Sequence, residues 1–209
     1  MDESTISSHE ATVQIGDTTL LRPTSFAALA GELWCLTGPN GSGKTTLLRA
    51  LGGRLTLTAG SCHLAGRPVD PNQPSQRRLL AALVEPIPVA RDLTVAEQIS
   101  MVAASWFGGG SESRERTSTM LEELGLNDLR DRFPHELSAG QLQLFGLALV
   151  LVRPSDVLLL DEPERHLDSA RTDRLAELLV RRTQTGTTVI AATHEPRLVE
   201  AAHHRLALV

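Results

Sequence analysis

A glycine-rich segment at positions 38–46 carries the residue types best suited to chemistry. In chain order it consists of Gly38, Pro39, Asn40, Gly41, Ser42, Gly43, Lys44, Thr45 and Thr46. Its glycines let backbone N–H groups turn toward a phosphate at the start of a helix, because no Cβ obstructs the approach. Lys44 supplies a mobile positive charge, and the Thr45 hydroxyl suits Mg²⁺, which prefers oxygen ligands. The spacing predicts a site for the phosphates of ATP or GTP; the alternative is an ordinary glycine-rich turn.

Two carboxylates follow an apolar segment later in the chain. Asp161 and Glu162 come directly after residues 157–160, which read Val-Leu-Leu-Leu. Open α/β sheets bind their ligands at the carboxyl ends of such strands. We expect Asp161 to hold Mg²⁺ and Glu162 to orient or deprotonate an attacking water. A solvated acidic turn is the alternative interpretation.

A histidine follows the next apolar segment. His194 comes directly after residues 189–193, so we expect its side chain to emerge at the same edge of the sheet. An imidazole there could contact the terminal phosphate of a nucleotide. An isolated histidine would more often be structural, but the two neighbouring loops favour the phosphate contact.

The elements that must position these residues alternate as in an α/β protein. Apolar segments predict strands at 32–37, 79–84, 156–161 and 187–192, helices at 46–51, 139–152 and 170–182, and an edge strand at 205–209. A turn at Gly16-Asp17 joins two short strands at 11–15 and 19–21, and turn residues in 58–69 indicate another antiparallel piece. A capping box at Thr94 and Glu97 opens a middle region of helices, which glycines at 108–110 interrupt before a helix at 114–124.

Composition and charge restrict the functional classes. A formal net charge of −5 gives no overall electrostatic reason to expect a nucleic-acid partner, although a local patch stays possible. Cys35 and Cys62 have no metal or redox spacing, so two buried, reduced thiols are expected. The longest apolar run, 144–152, is too short to span a bilayer.

A second loop narrows the chemistry further. Leu137, Ser138, Ala139, Gly140 and Gln141 precede a long apolar helix. Together with the glycine-rich segment at 38–46 (the phosphate loop), Asp161-Glu162 and His194, in the same order and at similar separations, this loop makes nearly the whole chain resemble the ATP-binding subunits of ABC transporters. The resemblance implies an α/β P-loop NTPase fold with a three-layer sheet, an N-terminal antiparallel β subdomain and an inserted helical subdomain. It implies a single ABC ATPase domain over 1–209, with its core at 1–85 and 154–209 and its helical subdomain at about 86–153.

The resemblance also implies roles for individual residues. The loop containing Ser138, Gly140 and Gln141 would cap an ATP held by the phosphate loop of a second subunit, in a head-to-tail dimer. The segment from Glu164 to Asp168 would communicate between the two sites. Lys44, Glu162 and His194 would be catalytic, and Thr45 and Asp161 would bind Mg²⁺. The partners would be a second ATP-binding subunit and a membrane permease, with the chain cytoplasmic and peripheral on the inner face of the membrane.

Several positions depart from the family pattern. Glu85 stands where glutamine is usual, and a carboxylate there would strengthen metal binding or have a raised pKa; the alternative is that it faces solvent. Ala139 replaces a glycine, which would cost about 1 kcal/mol only if the backbone there were left-handed. Ile15 replaces the aromatic ring that usually stacks on adenine, so base selectivity would be loose. Leu144 replaces a common arginine, and Arg165-His166 makes the 164–168 segment bulkier than usual.

Two other functions stay open at this point. A soluble ABC ATPase of translation or DNA maintenance would usually carry a second cassette, coiled-coil or basic insertion, and this sequence shows none. A weakly active regulatory cassette in a heterodimer gains support from Glu85 and Ala139.

Overall fold

The computed structural model describes residues 5–84, 86–87 and 89–209. Glu85 therefore lies outside the described residues, and its expected contact with metal stays a prediction. The strands are β1 (Ile6–Ile15), β2 (Thr18–Ala28), β3 (Leu33–Thr37), β4 (Ala59–Leu64), β5 (Arg67–Pro68), β6 (Leu80–Leu83), β7 (Val157–Asp161), β8 (Thr188–Ala192) and β9 (His204–Ala207). The α-helices are α1 (Lys44–Leu51), α2 (Pro74–Leu79), α3 (Val95–Phe107), α4 (Ser111–Glu123), α5 (Ala139–Leu151), α6 (Ser169–Gln184) and α7 (Pro196–Ala201).

The N-terminal strands form an antiparallel sheet in the order β2-β1-β4-β5. Gly16, with a φ of +58°, makes the turn between β1 and β2, as the sequence predicts. Both strands are longer than predicted. Pro23 lies inside β2, which is tolerated because β2 is an edge strand and the missing N–H costs no ladder bond. In β1 the register shifts between Ser8 and Ala11, where Glu10 has a φ of +47°, and this bulge interrupts the alternation that would reveal the strand.

A second sheet of five parallel strands runs in the order β6-β7-β8-β3-β9. Its central strands β7 and β8 are buried almost throughout, as expected for a parallel sheet covered on both faces. Leu47, Leu48 and Leu51 of α1 are fully buried and share one core with strand residues such as Leu36, Leu159 and Ile190. The predicted parallel sheet, its edge strand β9 and the antiparallel β subdomain are thus confirmed.

The chain forms two compact units. One comprises Met1–Val84, Ser155–Pro163 and Ala176–Val209, and the other Glu85–Pro154 and Glu164–Leu175. The second unit is largely helical. Its helix α3 begins with the predicted capping box, in which Thr94 Oγ1 accepts from Glu97 N and Glu97 Oε2 accepts from Thr94 N. Two short 3₁₀ helices, Asn127–Leu129 and Pro134–Glu136, connect α4 to α5.

Cys35 and Cys62 are free and buried, as predicted, and burial raises the pKa of Cys62 to about 11. This leaves Cys62 protonated and poorly nucleophilic at neutral pH. Among the described residues, none of the helices has the length and apolar character that crossing a membrane requires.

Glu32 makes the folded state sensitive to acid. Burial raises the pKa of Glu32, but hydrogen bonds from Trp34 Nε1 and Leu29 N, both 2.8 Å, and the contact with His204 Nε2 outweigh burial and lower that pKa below the usual 4.5. The stabilisation is therefore present above the unfolded pKa and is lost as pH falls through the lower folded value.

We expect Glu32→Gln to lower the free energy of unfolding at pH 7 by about 1.5 kcal/mol, the scale of hydrogen bonds to a charged group. Denaturant unfolding of both proteins at pH 7 and in acid below the lowered pKa of Glu32 measures this. The difference should shrink in acid, where Glu32 of the native protein also becomes neutral. An equal difference at both pH values would contradict the assignment.

Candidate functional site

The phosphate loop occupies the connection that the sequence predicts, between β3 and α1. Gly38, Gly41 and Gly43 all have positive φ, at +142°, +84° and +97°. At Gly38 a Cβ would overlap the carbonyl oxygen of Leu208, which follows the edge strand β9. A side chain there would displace either the loop or the end of the chain, so only glycine fits this position.

Two polar groups of the loop are buried. The Lys44 side chain is 7% exposed, and its Nζ donates to the Gly38 and Pro39 carbonyls at 2.7 and 3.0 Å. The Ser42 hydroxyl oxygen is buried and has no hydrogen-bond partner within the described chain. Buried polar atoms are almost always paired in folded proteins. A buried hydroxyl without a partner in this loop is therefore well suited to donate a hydrogen bond to a phosphate oxygen.

The carboxylates lie at the same edge of the parallel sheet as this loop. Asp161, the last residue of β7, pairs with Ala192 of β8, and Ala192 pairs in turn with Leu36 of β3. Residues after these three strands therefore emerge side by side, with β8 between the carboxylates and the phosphate loop. Strand spacing of about 4.8 Å puts β7 and β3 roughly 10 Å apart, a distance that a bound triphosphate can bridge.

Glu162 has an unusual backbone. Its φ is +46°, in the left-handed region, and its N–H donates to the Ala192 carbonyl at 2.9 Å. A non-glycine residue in this region costs about 1–3 kcal/mol and persists where the surroundings enforce it, which occurs most often at functional sites. Such strain favours a chemical role for Glu162 over a simple acidic turn.

His194 also lies at this edge, as the sequence predicts. It follows Thr193, whose N–H extends the ladder to the Leu36 carbonyl at 3.2 Å. The His194 side chain is exposed, so it does not anchor the core. The structure thus brings the phosphate loop, Asp161, Glu162 and His194 to one sheet edge.

The residues around the loop can hold a divalent cation. Thr45, in the first turn of α1, and Asp161 offer a hydroxyl and a carboxylate. Across the described residues, no three His, Cys, Asp or Glu side chains converge as a metal site would need. Mg²⁺ commonly keeps several waters and takes one or two protein oxygens with substrate phosphates, and the donors present fit that pattern.

The remaining candidate residues belong to the second unit. Ser138 is the N-cap of α5: its Oγ accepts from Gln141 N at 3.3 Å, and Gln141 Oε1 accepts from Ser138 N at 2.8 Å. This Ser-x-x-Gln capping box is readable in the sequence, but the motif-based prediction assigns both residues to ligand binding alone. Ser138 and Ala139 are exposed, whereas Gly140 is buried.

Ala139 and Asp168 each lie at the start of a helix. Ala139 is the first residue of α5 and is not among the residues with positive φ, so replacing a glycine there carries no left-handed cost. Asp168 caps α6 by accepting from Arg171 N at 2.9 Å. Ile15, the last residue of β1, is 63% exposed and offers an apolar surface without a ring.

The comparisons with known proteins agree on one family. Residues 21–165 match the family model described as ABC transporter. The chain belongs to the ABC transporter family. This confirms the resemblance inferred from the motifs, and membership of this family implies binding and hydrolysis of ATP.

The relatives of this ABC transporter family member carry names that describe different functions. It is 32% identical over 192 residues to the lipoprotein-releasing system ATP-binding protein LolD of Aquifex aeolicus (strain VF5), covering 90% of this chain and 86% of LolD. It is 30% identical over 202 residues to the cell division ATP-binding protein FtsE of Escherichia coli (strain K12), covering 95% and 91%. The spermidine/putrescine import ATP-binding protein PotA of Nitrosomonas europaea is 32% identical over 201 residues, and this chain spans 55% of its length.

Solved structures confirm the P-loop NTPase fold. The ATP-binding cassette MJ0796, solved as a dimer in a post-hydrolysis state with ADP and Pi, has a TM-score of 0.86 at 22% identity, covering 97% of this chain and 94% of that one. An ATP-binding subunit of an ABC transporter has a TM-score of 0.87 at 20% identity, covering 98% and 86%.

Proposed function

We propose that this chain is an ATP-hydrolysing subunit that pairs head-to-tail with a second ATP-binding subunit and powers a separate membrane permease. The observation that carries the proposal is the convergence of the phosphate loop, Asp161, Glu162 and His194 at the carboxyl edge of β7, β8 and β3. Relatives named as ATP-binding proteins of release and import systems support the coupling to transport. The proposed location is cytoplasmic, peripheral on the inner face of the cell membrane.

The proposed catalysis is positioning combined with electrostatics. Backbone N–H groups of the loop and the Lys44 ammonium would neutralise charge on the phosphoryl group, and Glu162 would orient the attacking water and take its proton. Mg²⁺, held by Thr45 and Asp161 and in our proposal also by Glu85, would offset negative charge on the phosphate oxygens. His194 would contact the γ-phosphate.

Closure of the dimer completes the proposed site. Ser138, Gly140, Gln141 and Asp168 would cover the ATP held by the partner's phosphate loop. ATP then favours the closed state because it contacts both subunits there and only one subunit in the open state. Hydrolysis removes this differential affinity, which releases the pair and returns the cycle to its start.

Two measurements test this function. In sedimentation experiments we expect a non-hydrolysable ATP analogue, but not ADP, to convert the purified chain from monomer to dimer. A monomer that holds the analogue without any change in mass would contradict the proposal. Affinity purification from solubilised membranes should recover a polytopic membrane protein, whereas ATPase stimulated by nucleic acid or ribosomes would instead indicate a soluble ABC ATPase.

A further inference from the structure

The first turn of α5 packs against a backbone carbonyl of the 164–168 segment. Gly140 is buried, and a Cβ at this position would overlap the carbonyl oxygen of His166. Backbone on both sides of this contact leaves no flexible side chain that could move away. Gly140 is therefore required for close approach of the first turn of α5 to the 164–168 segment, in addition to any contact with a nucleotide.

His166 contributes an uncommon backbone to this contact. Its φ is +64°, in the left-handed region, although its side chain is exposed and packs into no core. Non-glycine residues adopt this conformation rarely, and asparagine and histidine tolerate it far better than β-branched residues do. The conformation sets the direction of the His166 carbonyl that meets Gly140.

The segment around His166 is held on both sides. Leu167 N donates to the Glu164 carbonyl at 3.0 Å, and Asp168 caps α6 through Arg171 N at 2.9 Å. On the other side of the contact, the Ser138–Gln141 capping box fixes the start of α5. All these residues belong to one compact unit. The His166 carbonyl therefore packs between the 164–168 segment and the start of α5, and each of these is fixed by its own hydrogen bonds.

We propose that His166 is a positioning residue for the loop that contains Ser138, Gly140 and Gln141: its left-handed backbone places the carbonyl against Gly140 and so sets the position of Ser138. This inference rests on the proposed function, in which that loop covers the ATP bound by the partner subunit. The 164–168 segment and the start of α5 then move as one body when the dimer opens and closes. The side chain of His166 is dispensable, and its backbone conformation is the requirement.

Substitutions at His166 separate backbone from side chain. His166→Val opposes the left-handed backbone, and we expect it to weaken dimerisation driven by the ATP analogue by about five- to thirtyfold, equivalent to the 1–2 kcal/mol of that conformation. His166→Asn removes the imidazole but tolerates the backbone, so its dimerisation should stay within about twofold of the native protein. Binding of a fluorescent ATP analogue to the monomer should be unchanged in both, because the phosphate loop belongs to the other unit.

A double-mutant cycle with Gly140→Ala tests the contact itself. If both substitutions act by displacing the same carbonyl, the double variant should lose much less dimerisation than the product of the single losses. Melting temperatures check that each variant is folded. Multiplicative losses, or native dimerisation by His166→Val, would overturn the inference.

The controls also separate this inference from the proposed function. If the native protein does not dimerise with the analogue, the proposed function fails first. If the native protein dimerises and His166→Asn is as defective as His166→Val, the side chain matters rather than the backbone, and only the positioning role is wrong.

Discussion

Glu162→Gln is expected to lower the ATP turnover rate by about 10²–10⁴-fold, the usual contribution of a positioned general base. The amide keeps the size of the side chain and a hydrogen-bonding oxygen, but it cannot accept the proton of the attacking water. The left-handed backbone at this residue, φ +46°, should be as well tolerated in the variant, because the cost lies in the Cβ that both residues share. ATP affinity should therefore stay near the native value.

A second readout distinguishes a missing base from a damaged site. With the hydrolytic step blocked, the ATP-bound dimer should accumulate in the presence of hydrolysable ATP, while the native protein returns to monomer as ATP is consumed. Sedimentation combined with nucleotide content per subunit measures this. Glu200→Gln, which removes an exposed carboxylate of α7, is the control and should retain native turnover. Undiminished steady-state turnover in Glu162→Gln would remove the assignment of the base.

Much of the site could be predicted because its signals are local. The phosphate loop, the strand ending in Asp161-Glu162 and the strand before His194 are short segments, and their residue types alone indicate strands that end in polar loops. The meeting of these loops at one edge depends on β8 lying between β7 and β3. That order is set by pairing between distant segments, and no local pattern specifies it.

The missed elements share a physical cause. The helices α2 and α7 have six residues each, too few for apolar periodicity to be seen. The sequence feature that indicates the start of each helix is a proline in its first turn, at Pro74 and Pro196. The sequence does not predict the full lengths of β1 and β2, because a bulge and an internal proline interrupt their patterns.

The sequence also does not predict backbone strain. Glu162 and His166 have positive φ, but neither is a glycine, the residue that most often adopts such a conformation. The surrounding fold imposes it. The motif includes Gly140, but the packing of Gly140 against the His166 carbonyl is visible only in three dimensions.

Removal of the Lys44 ammonium is expected to give the second large effect. Lys44 Nζ donates to two neutral loop carbonyls, Gly38 at 2.7 Å and Pro39 at 3.0 Å. A triphosphate offers stronger, charged acceptors in their place. Lys44→Ala should weaken ATP binding by about 10- to 150-fold, corresponding to roughly 1.5–3 kcal/mol for a hydrogen bond to a charged group. Fluorescence titration with a labelled ATP analogue measures the affinity.

Arg49→Ala is the matched control for lost charge. Arg49 lies in the last turn of the same helix and is exposed, so its removal should change ATP affinity less than about twofold. The sequence adds a second control, since Lys44 is the one lysine in the chain. An amine-reactive reagent should label Lys44, and the N-terminal amine where it is free, and ATP should protect Lys44 alone. Native affinity in Lys44→Ala, or labelling of Lys44 that ATP leaves unchanged, would place the triphosphate elsewhere.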